Sequence, residues 1–483
     1  MNTPFDQLER MQAVDGSHWE GMRVLVAGLA RSGLAAAELL TRAGAKPLLY
    51  DQKTQGALGP QLTSLLERGC TLHLGIDPLP LLTQADVVVI SPGIPLDAAL
   101  IQAAKAGGIP WMGELELASR FARGKLYAVT GTNGKTTTVS LLGDIFKQAG
   151  KIAFVCGNIG YPLSSAALTS SVDDVLIAEV SSFQLESTSS FHPHIAAVLN
   201  LTPDHLNRHG TMANYSQLKR NIFANQSDMD YAVLNHDDAI VRSMAEGLRA
   251  RVVWFSRMET LTEGAYLKAD KICLRLRDEE QVICSVQDIR IPGRHNLENV
   301  LAAVAVAGLA MVPPAVIRYA LVSFAGVEHR IEFVSELNGV RYINDSKGTN
   351  PDATIKALEA MTAATVLMAG GFDKQVSFDQ LAQSITQNEI IRQVVLYGQT
   401  AELIARALQS AGFAACQVTG SMEEALLLSR SLAEPGYNVL LSPACASFDQ
   451  FSDYEQRGKR FKELVRAMAP EKGSQDAGTA TNT

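Results

Sequence analysis

KLYAVTGTNGKTTTVSLLGDIF, residues 125–146, is the stretch that decides the fold. Its first five residues are a short, mostly apolar run of strand length. They feed Gly131, Thr132, Asn133, Gly134, Lys135, Thr136 and Thr137, and the apolar run 139–146 that follows has helical composition. Strand, glycine loop and helix in that order make a phosphate-binding loop. Glycines let backbone N–H groups approach phosphate oxygens, Lys135 can neutralise the β/γ charge, and the Thr136 hydroxyl can bind Mg²⁺. The strict G-x-x-x-x-G-K-[ST] spacing is not met, because Val129 stands five before Gly134 and the nearer glycine is Gly131. A Gly-Asn turn with an exposed lysine is the bland alternative. The coincidence of all three elements favours nucleoside triphosphate binding.

The same alternation extends in both directions. Upstream, RVLVA (Arg23–Ala27) reads as a strand that stops at glycine, followed by a helix from Ser32 to about Arg42. Residues 47–50 and 86–90 read as further strands, the latter closed by Ser91-Pro92-Gly93. Downstream, 175–178 and 195–199 are strand-like, and a helix from about Asn296 carries the buried-type run LAAVAVAGLA. A third restart after Gly326 supplies strand-like runs at 341–343, 365–369, 393–397 and 438–441. Strands alternating with helices predict parallel α/β sheets. The fold class is therefore α/β, with three domains in series. Residues 1–20 are a polar extension and 21–117 a Rossmann-like domain. Residues 118–326 form a central P-loop domain, 327–470 a Rossmann-like C-terminal domain, and 471–483 a small, polar tail of disordered composition.

Composition narrows the function. A net charge of −8 argues against nucleic-acid binding, where clustered Lys and Arg meet the phosphate backbone. The six cysteines include no C-x-x-C pair, so they read as buried small hydrophobes in a reducing compartment. The N-terminus lacks a cationic-then-apolar leader, and no apolar run approaches the roughly 20 residues of a membrane span. A cytoplasmic, monomeric protein is expected, with small-molecule partners and no membrane insertion.

Residues 131–136 resemble the shortened phosphate loop of the Mur ligase family, which includes folylpolyglutamate synthetase relatives. Further motifs of that family follow in order: EVSSFQL (179–185), NLTPDH (200–205), PGRHN (292–296), NDSKGTN (344–350) and LSPACASFDQF (441–451). With Ser91-Pro92-Gly93, the last two are most similar to the branch that adds D-glutamate. The resemblance implies ATP-dependent amide formation between UDP-N-acetylmuramoyl-L-alanine and D-glutamate. The route runs through an acyl phosphate in peptidoglycan precursor synthesis, with ATP and two Mg²⁺ ions as cofactors.

The resemblance also distributes roles. Glu179 and Thr136 would serve the metal sites, with His205 a ligand of a second ion. Lys219 would be carbamylated, turning a cation that repels Mg²⁺ into a carboxylate-like group; by composition alone it is a solvated lysine on a helix face. Asn296, Arg330 and Asp345 would join residues 131–137 around ATP, with Lys347 near the reacting groups. Arg31 and Ser32 would lie near the UDP diphosphate and Asp51 and Lys53 near uracil. Ser91 and Gly93 would complete that pocket, and Asn158 would hold the sugar–peptide. Thr349, Lys374, Ser447 and Tyr454 would bind the amino acid.

Two alternatives stand beside this reading. GLARSG (28–33) followed by Asp51 also resembles a dinucleotide-binding unit, so the first domain could serve an NAD-binding regulator with an accessory ATPase. Ala30, in place of the middle glycine, sets a methyl group where a backbone should approach a pyrophosphate. Another Mur-type or folylpolyglutamate-type ligase is the second alternative. An α/β unit ahead of the phosphate loop disfavours the folylpolyglutamate type, whose ATPase domain lies near its start.

Overall fold

The computed structural model describes residues 19–53, 61–204, 206–291, 293–373 and 376–468. The N-terminal extension, the polar tail, His205 and Lys374 lie wholly or largely outside the described residues.

Three sheets follow one another along the chain. The first holds β1 (Arg23–Ala27), β2 (Lys46–Asp51), β3 (Thr71–Leu74), β4 (Val87–Ile90) and β5 (Trp111–Gly113), in the order β3-β2-β1-β4-β5. All its pairings are parallel, and Val24 lies opposite both Pro47 and Val87. Its central strands are unbroken apolar runs, as expected of a parallel sheet covered on both faces. β4 is VVVI and buried throughout. Chain order reverses between β1 and β4, which opens a crevice at their C-terminal ends.

The second sheet comprises β6 (Lys125–Thr130), β7 (Ala153–Gly157), β8 (Val175–Glu179), β9 (Ile195–Val198), β10 (Tyr231–Asn235), β11 (Arg251–Ser256), β12 (Gly264–Lys268), β13 (Lys271–Leu276) and β14 (Glu279–Ser285). It runs β14-β13-β12-β11-β10-β9-β6-β8-β7, parallel from β7 through to β12. An antiparallel meander, β12-β13-β14, finishes it, with a bulge at Ile272/Cys273. The third sheet has β15 (Glu332–Leu337), β16 (Val340–Asn344), β17 (Thr365–Ala369), β18 (Ile391–Leu396), β19 (Cys416–Val418) and β20 (Asn438–Leu441). Its order is β15-β16-β20-β17-β18-β19, antiparallel only at β15.

Three sheets make two compact units. The first runs to Arg290 and takes in Asn296–Phe324; the second holds Ile291–His295 and the chain from Ala325. The N-terminal and central sheets share the first unit for a visible reason. Helix Glu114–Phe121 leaves β5 and plugs into the central sheet through Glu116, which is fully buried. The Glu116 carboxylate accepts N–H groups of Ser189, Ser190 and Phe191 at 2.9–3.1 Å and pairs with Arg120 at 2.7 Å. Burial alone would raise its pKa; these donors more than offset that and hold it below the usual carboxylate value.

The structure adjusts several expectations. The strand expected at 393–397 occupies Ile391–Leu396, and the helix expected to carry Lys219 is an α-helix at Met212–Arg220 that tightens to a 3₁₀ turn at Asn221–Phe223. Five cysteines are buried as expected, whereas Cys416, at the start of edge strand β19, is only half-buried. Among the described residues no helix is long and apolar enough to cross a membrane.

Candidate active site

The phosphate loop leaves β6 at Thr130 and enters helix Lys135–Gln148. Gly134 is the turning point, with φ +84°, and a Cβ there would stand 2.0 Å from Asn299 Oδ1. Only glycine satisfies both constraints. Asn299 is buried and donates to Asn296 Oδ1 at 3.2 Å, so the start of helix Arg294–Leu309 packs on the loop. From the other side the backbone after β9 holds it. Thr132 N donates to Asn200 O and Asn133 N to Asn200 Oδ1, both at 2.9 Å. Thr202 N reaches Thr132 Oγ1 at 3.0 Å. Lys135 curls back, its Nζ donating to the carbonyls of Gly131 and Thr132 at 2.8 Å. Thr137 is buried beneath the loop.

Glu179 ends β8, 2% exposed. Its carboxylate accepts from Thr136 Oγ1 at 2.8 Å and from Asn158 Nδ2 at 2.9 Å. The motif after it has a local cause: Ser181 and Gln184 form a reciprocal capping box that starts helix Ser182–Leu185. Three expected site residues thus meet at one carboxylate.

Lys219 overturns the reading of a solvated lysine. It is 1% exposed, its Nζ donating to Gly131 O at 2.9 Å and Thr130 Oγ1 at 3.3 Å. The Tyr215 ring lies 4.9 Å away. Burial, then repulsion from Lys135, pushes the amine pKa far below its ordinary value. Sequence reasoning missed His209, which is buried, stacks on Tyr215 at 5.3 Å and meets Ser182 Oγ at 3.0 Å. Burial lowers its pKa. Among the described residues no group of three or more His, Cys, Asp or Glu side chains is placed to hold a metal.

At the first sheet, Gly33 lies in the opening turn of helix Arg31–Arg42, where a Cβ would stand 1.8 Å from Gly28 O. Its absence lets the helix start directly over the strand end. Asp51 accepts Leu29 N at 2.6 Å and Lys53 N at 2.9 Å, and Ser91 Oγ donates to Gly28 O at 2.7 Å. Asp51 and Ser91 therefore shape the 28–33 turn at the switch point, beside Ser32. No side chain caps the helix start. Arg31 reaches elsewhere, its guanidinium donating to Gly160 O beyond β7. Gly93 is exposed in the turn after β4.

The second unit gathers its own group. Asp345 is fully buried after β16, accepting Ser442 Oγ at 2.7 Å and Ile331 N at 3.2 Å. Burial pushes its pKa up to about 6, against the pull of Arg330 and that hydroxyl. His329 and Ile331, flanking Arg330, have φ of +64° and +46°, a strained corner for side chains with a Cβ. Lys347 Nζ donates to Tyr454 OH at 3.3 Å. Thr349 N turns back to Lys347 O at 2.9 Å, and Ser447 is buried. Arg457, which sequence reasoning missed, ties these loops together: fully buried, it donates to Ser346 O at 2.8 Å and to Cys445 O and Ala446 O at 3.1 Å.

Comparison with known proteins fits this frame. The family model described as "Mur ligase MurD-like, N-terminal domain" matches residues 22–113. "Mur ligase middle domain" matches 129–307, and "Mur ligase, glutamate ligase domain" matches 329–445. The chain is 48% identical over 446 residues to the UDP-N-acetylmuramoylalanine–D-glutamate ligase of Pelotomaculum thermopropionicum, covering 92% of this chain and 98% of the relative. The same-named ligase of Caldanaerobacter subterraneus subsp. tengcongensis is 45% identical, again over 92% and 98%. In fold the chain resembles the UDP-N-acetylmuramate–alanine ligase of Thermotoga maritima, with TM-score 0.59 at 18% identity over 92% of this chain and 99% of that one. It likewise resembles a MurF ligase of Thermotoga maritima in complex with ADP, with TM-score 0.58 at 16% identity over 88% and 96%. Three family domains in order and near-complete coverage by close relatives make this chain a member of the Mur ligase family.

Proposed function

We propose that the protein joins D-glutamate to UDP-N-acetylmuramoyl-L-alanine in the cytoplasm, acting as a monomer and consuming ATP. The observation that carries the chemistry is the convergence of Thr136, Glu179 and Lys219 on one phosphate loop.

A carboxylate is a poor electrophile because its oxygen does not leave. Phosphorylation makes it leave. The substrate carboxylate attacks the γ-phosphorus, ADP departs, and an acyl phosphate forms. The neutral amine then attacks the acyl carbon, forming the N–C bond; phosphate departs with the C–O bond's electrons and the nitrogen gives up one proton to solvent. Residues 131–137 and Asn296 cradle the nucleotide, and Lys135 exchanges its two carbonyl partners for phosphate oxygens. Glu179 and the Thr136 hydroxyl are hard oxygen donors already 2.8 Å apart, a set that suits an ion which also keeps water and phosphate ligands. Bound there, Mg²⁺ supplies charge neutralisation for phosphoryl transfer. His205 is the candidate ligand of a second ion.

Lys219 fits a carbamate. Its surroundings favour the neutral amine, whose lone pair can attack CO₂: the N–C bond forms, a C=O π pair moves onto oxygen, and an N–H proton leaves to solvent. The product presents an anion to the metal side in place of a cation.

In the first sheet the 28–33 turn, Asp51, Lys53, Ser91 and Gly93 hold UDP, with Asn158 toward the sugar–peptide. In the second unit Arg330 and Asp345 contact the nucleotide and Lys347 the reacting groups, while Thr349, Lys374, Ser447 and Tyr454 receive the amino acid. The test is phosphate release with UDP-N-acetylmuramoyl-L-alanine and ATP, adding in turn D-glutamate, L-glutamate, lysine or diaminopimelate. Release with D-glutamate alone is expected; no D-glutamate-dependent release would sink the assignment.

A further inference from the structure

We propose that Arg31 is a positioning residue that couples occupancy of the nucleotide-sugar turn to the ATP end of the first unit. The inference rests on reading the 28–33 turn as the UDP site.

Arg31 is the first residue of helix Arg31–Arg42, at the point where a diphosphate would meet the helix start. Its exposed side chain crosses from the first sheet to the second and donates to Gly160 O. That carbonyl belongs to a closed loop: Gly157 N donates to Tyr161 O at 2.8 Å, and Asn158 N to Glu179 O at 2.8 Å. Asn158 Nδ2 then reaches the Glu179 carboxylate, whose other oxygen takes the Thr136 hydroxyl. Hydrogen bonds therefore join Arg31 to Gly160, and Asn158 to Glu179 and on to Thr136, and the backbone of residues 158–160 connects the two sets.

The first link can change hands. A cavity of about 530 Å³ borders Arg31, lined also by Leu34, Arg68, Tyr161 and Pro162, so the side chain has room to move. A guanidinium prefers an anionic oxygen to a neutral carbonyl. With a diphosphate at the helix start, Arg31 has two acceptors, one on the ligand and one on the loop that holds Glu179. Its choice is then transmitted to that loop. Coupling of this kind is reciprocal: the nucleotide-sugar changes ATP affinity by the same factor as ATP changes the affinity for the nucleotide-sugar.

The experiment is a binding square by calorimetry, using a non-hydrolysable ATP analogue and UDP-N-acetylmuramoyl-L-alanine, each alone and each in the presence of the other. In the wild type the two affinities should alter each other about fivefold or more. In Arg31→Gln the factor should fall to about one, whatever the loss in nucleotide-sugar affinity measured alone, with Arg31→Lys intermediate. An unchanged factor in Arg31→Gln, or no coupling in the wild type, overturns the proposal. So does a loss of nucleotide-sugar affinity that is equal with and without the ATP analogue, which would make Arg31 a plain phosphate ligand. Asp51→Asn separates the underlying reading: if nucleotide-sugar binding survives it untouched, the turn is not the UDP site, whatever Arg31→Gln does.

Discussion

Lys219 is where burial does most to change a residue's chemistry. A lysine with no water around it and another cation nearby cannot hold its proton well, and two neutral oxygens, Gly131 O and Thr130 Oγ1, are its hydrogen-bond acceptors. A Lys219→Ala variant should lose activity by about a hundredfold or more, the range expected when an electrostatic group at a phosphoryl-transfer site is removed. Added short-chain carboxylic acids should restore part of it by occupying the vacated space as anions. Full activity without them would mean that no carbamate is needed. Gly134 gives a second expectation at this scale. Gly134→Ala should raise the KM for ATP about tenfold or more, because the loop cannot keep φ +84° and clear Asn299 together. The check is initial rates against ATP concentration, with thermal melting to show that the fold survives.

Among elements, the starts of β9 and β10 share one buried anchor. Asp230 accepts His192 Nε2 at 2.7 Å, His194 Nδ1 at 3.1 Å and the Ser227 amide at 2.7 Å. Burial opposes ionisation, but these donors overcome it and bring the pKa down to about 2. A depressed carboxylate stabilises the fold above its unfolded pKa of roughly 4, and that stabilisation is lost as pH falls toward 2. Asp230→Asn should therefore cost about 2 kcal/mol at pH 7, with the gap to wild type closing near pH 2 in denaturant titrations. An equal gap at both pH values would remove ionisation from the account. Elements also show what the sequence could disclose. β6, β17 and β20 were legible as apolar runs between turn signals, because a parallel strand covered on both faces needs no polar positions. The meander was not: KICLRL and EEQVICS mix charge with apolar residues, as half-exposed strands do, and they break the β–α alternation. In the site, the loop residues and Glu179 were legible from local motifs. Asn299, His209 and Arg457 were not, since each takes its place from a partner roughly 27 to more than a hundred positions away in the chain.

At the scale of the molecule, the second unit owns a complete six-stranded sheet with buried apolar residues on both faces. A fragment from Ala325 onward should fold alone, with a single cooperative thermal transition by circular dichroism, and should release no phosphate from ATP, since the phosphate loop lies in the first unit. A fragment without cooperative melting would show that this sheet depends on the rest of the chain.

The cysteines described above give the protein an internal clock. Alkylating reagents attack thiolates, and burial raises the pKa of Cys70, Cys156, Cys273, Cys284 and Cys416, the last two to about 11 where ordinary thiols stand near 9. In the native protein the buried thiols are therefore nearly silent, and their modification counts openings of the chain, whereas half-buried Cys416 reacts without one. Cys70, Cys156, Cys273 and Cys284 report on the first unit, Cys445 on the second. Pulse alkylation read by peptide mass would time each unit's opening separately, with no probe introduced, and a ligand that steadies one unit would slow its own set of thiols.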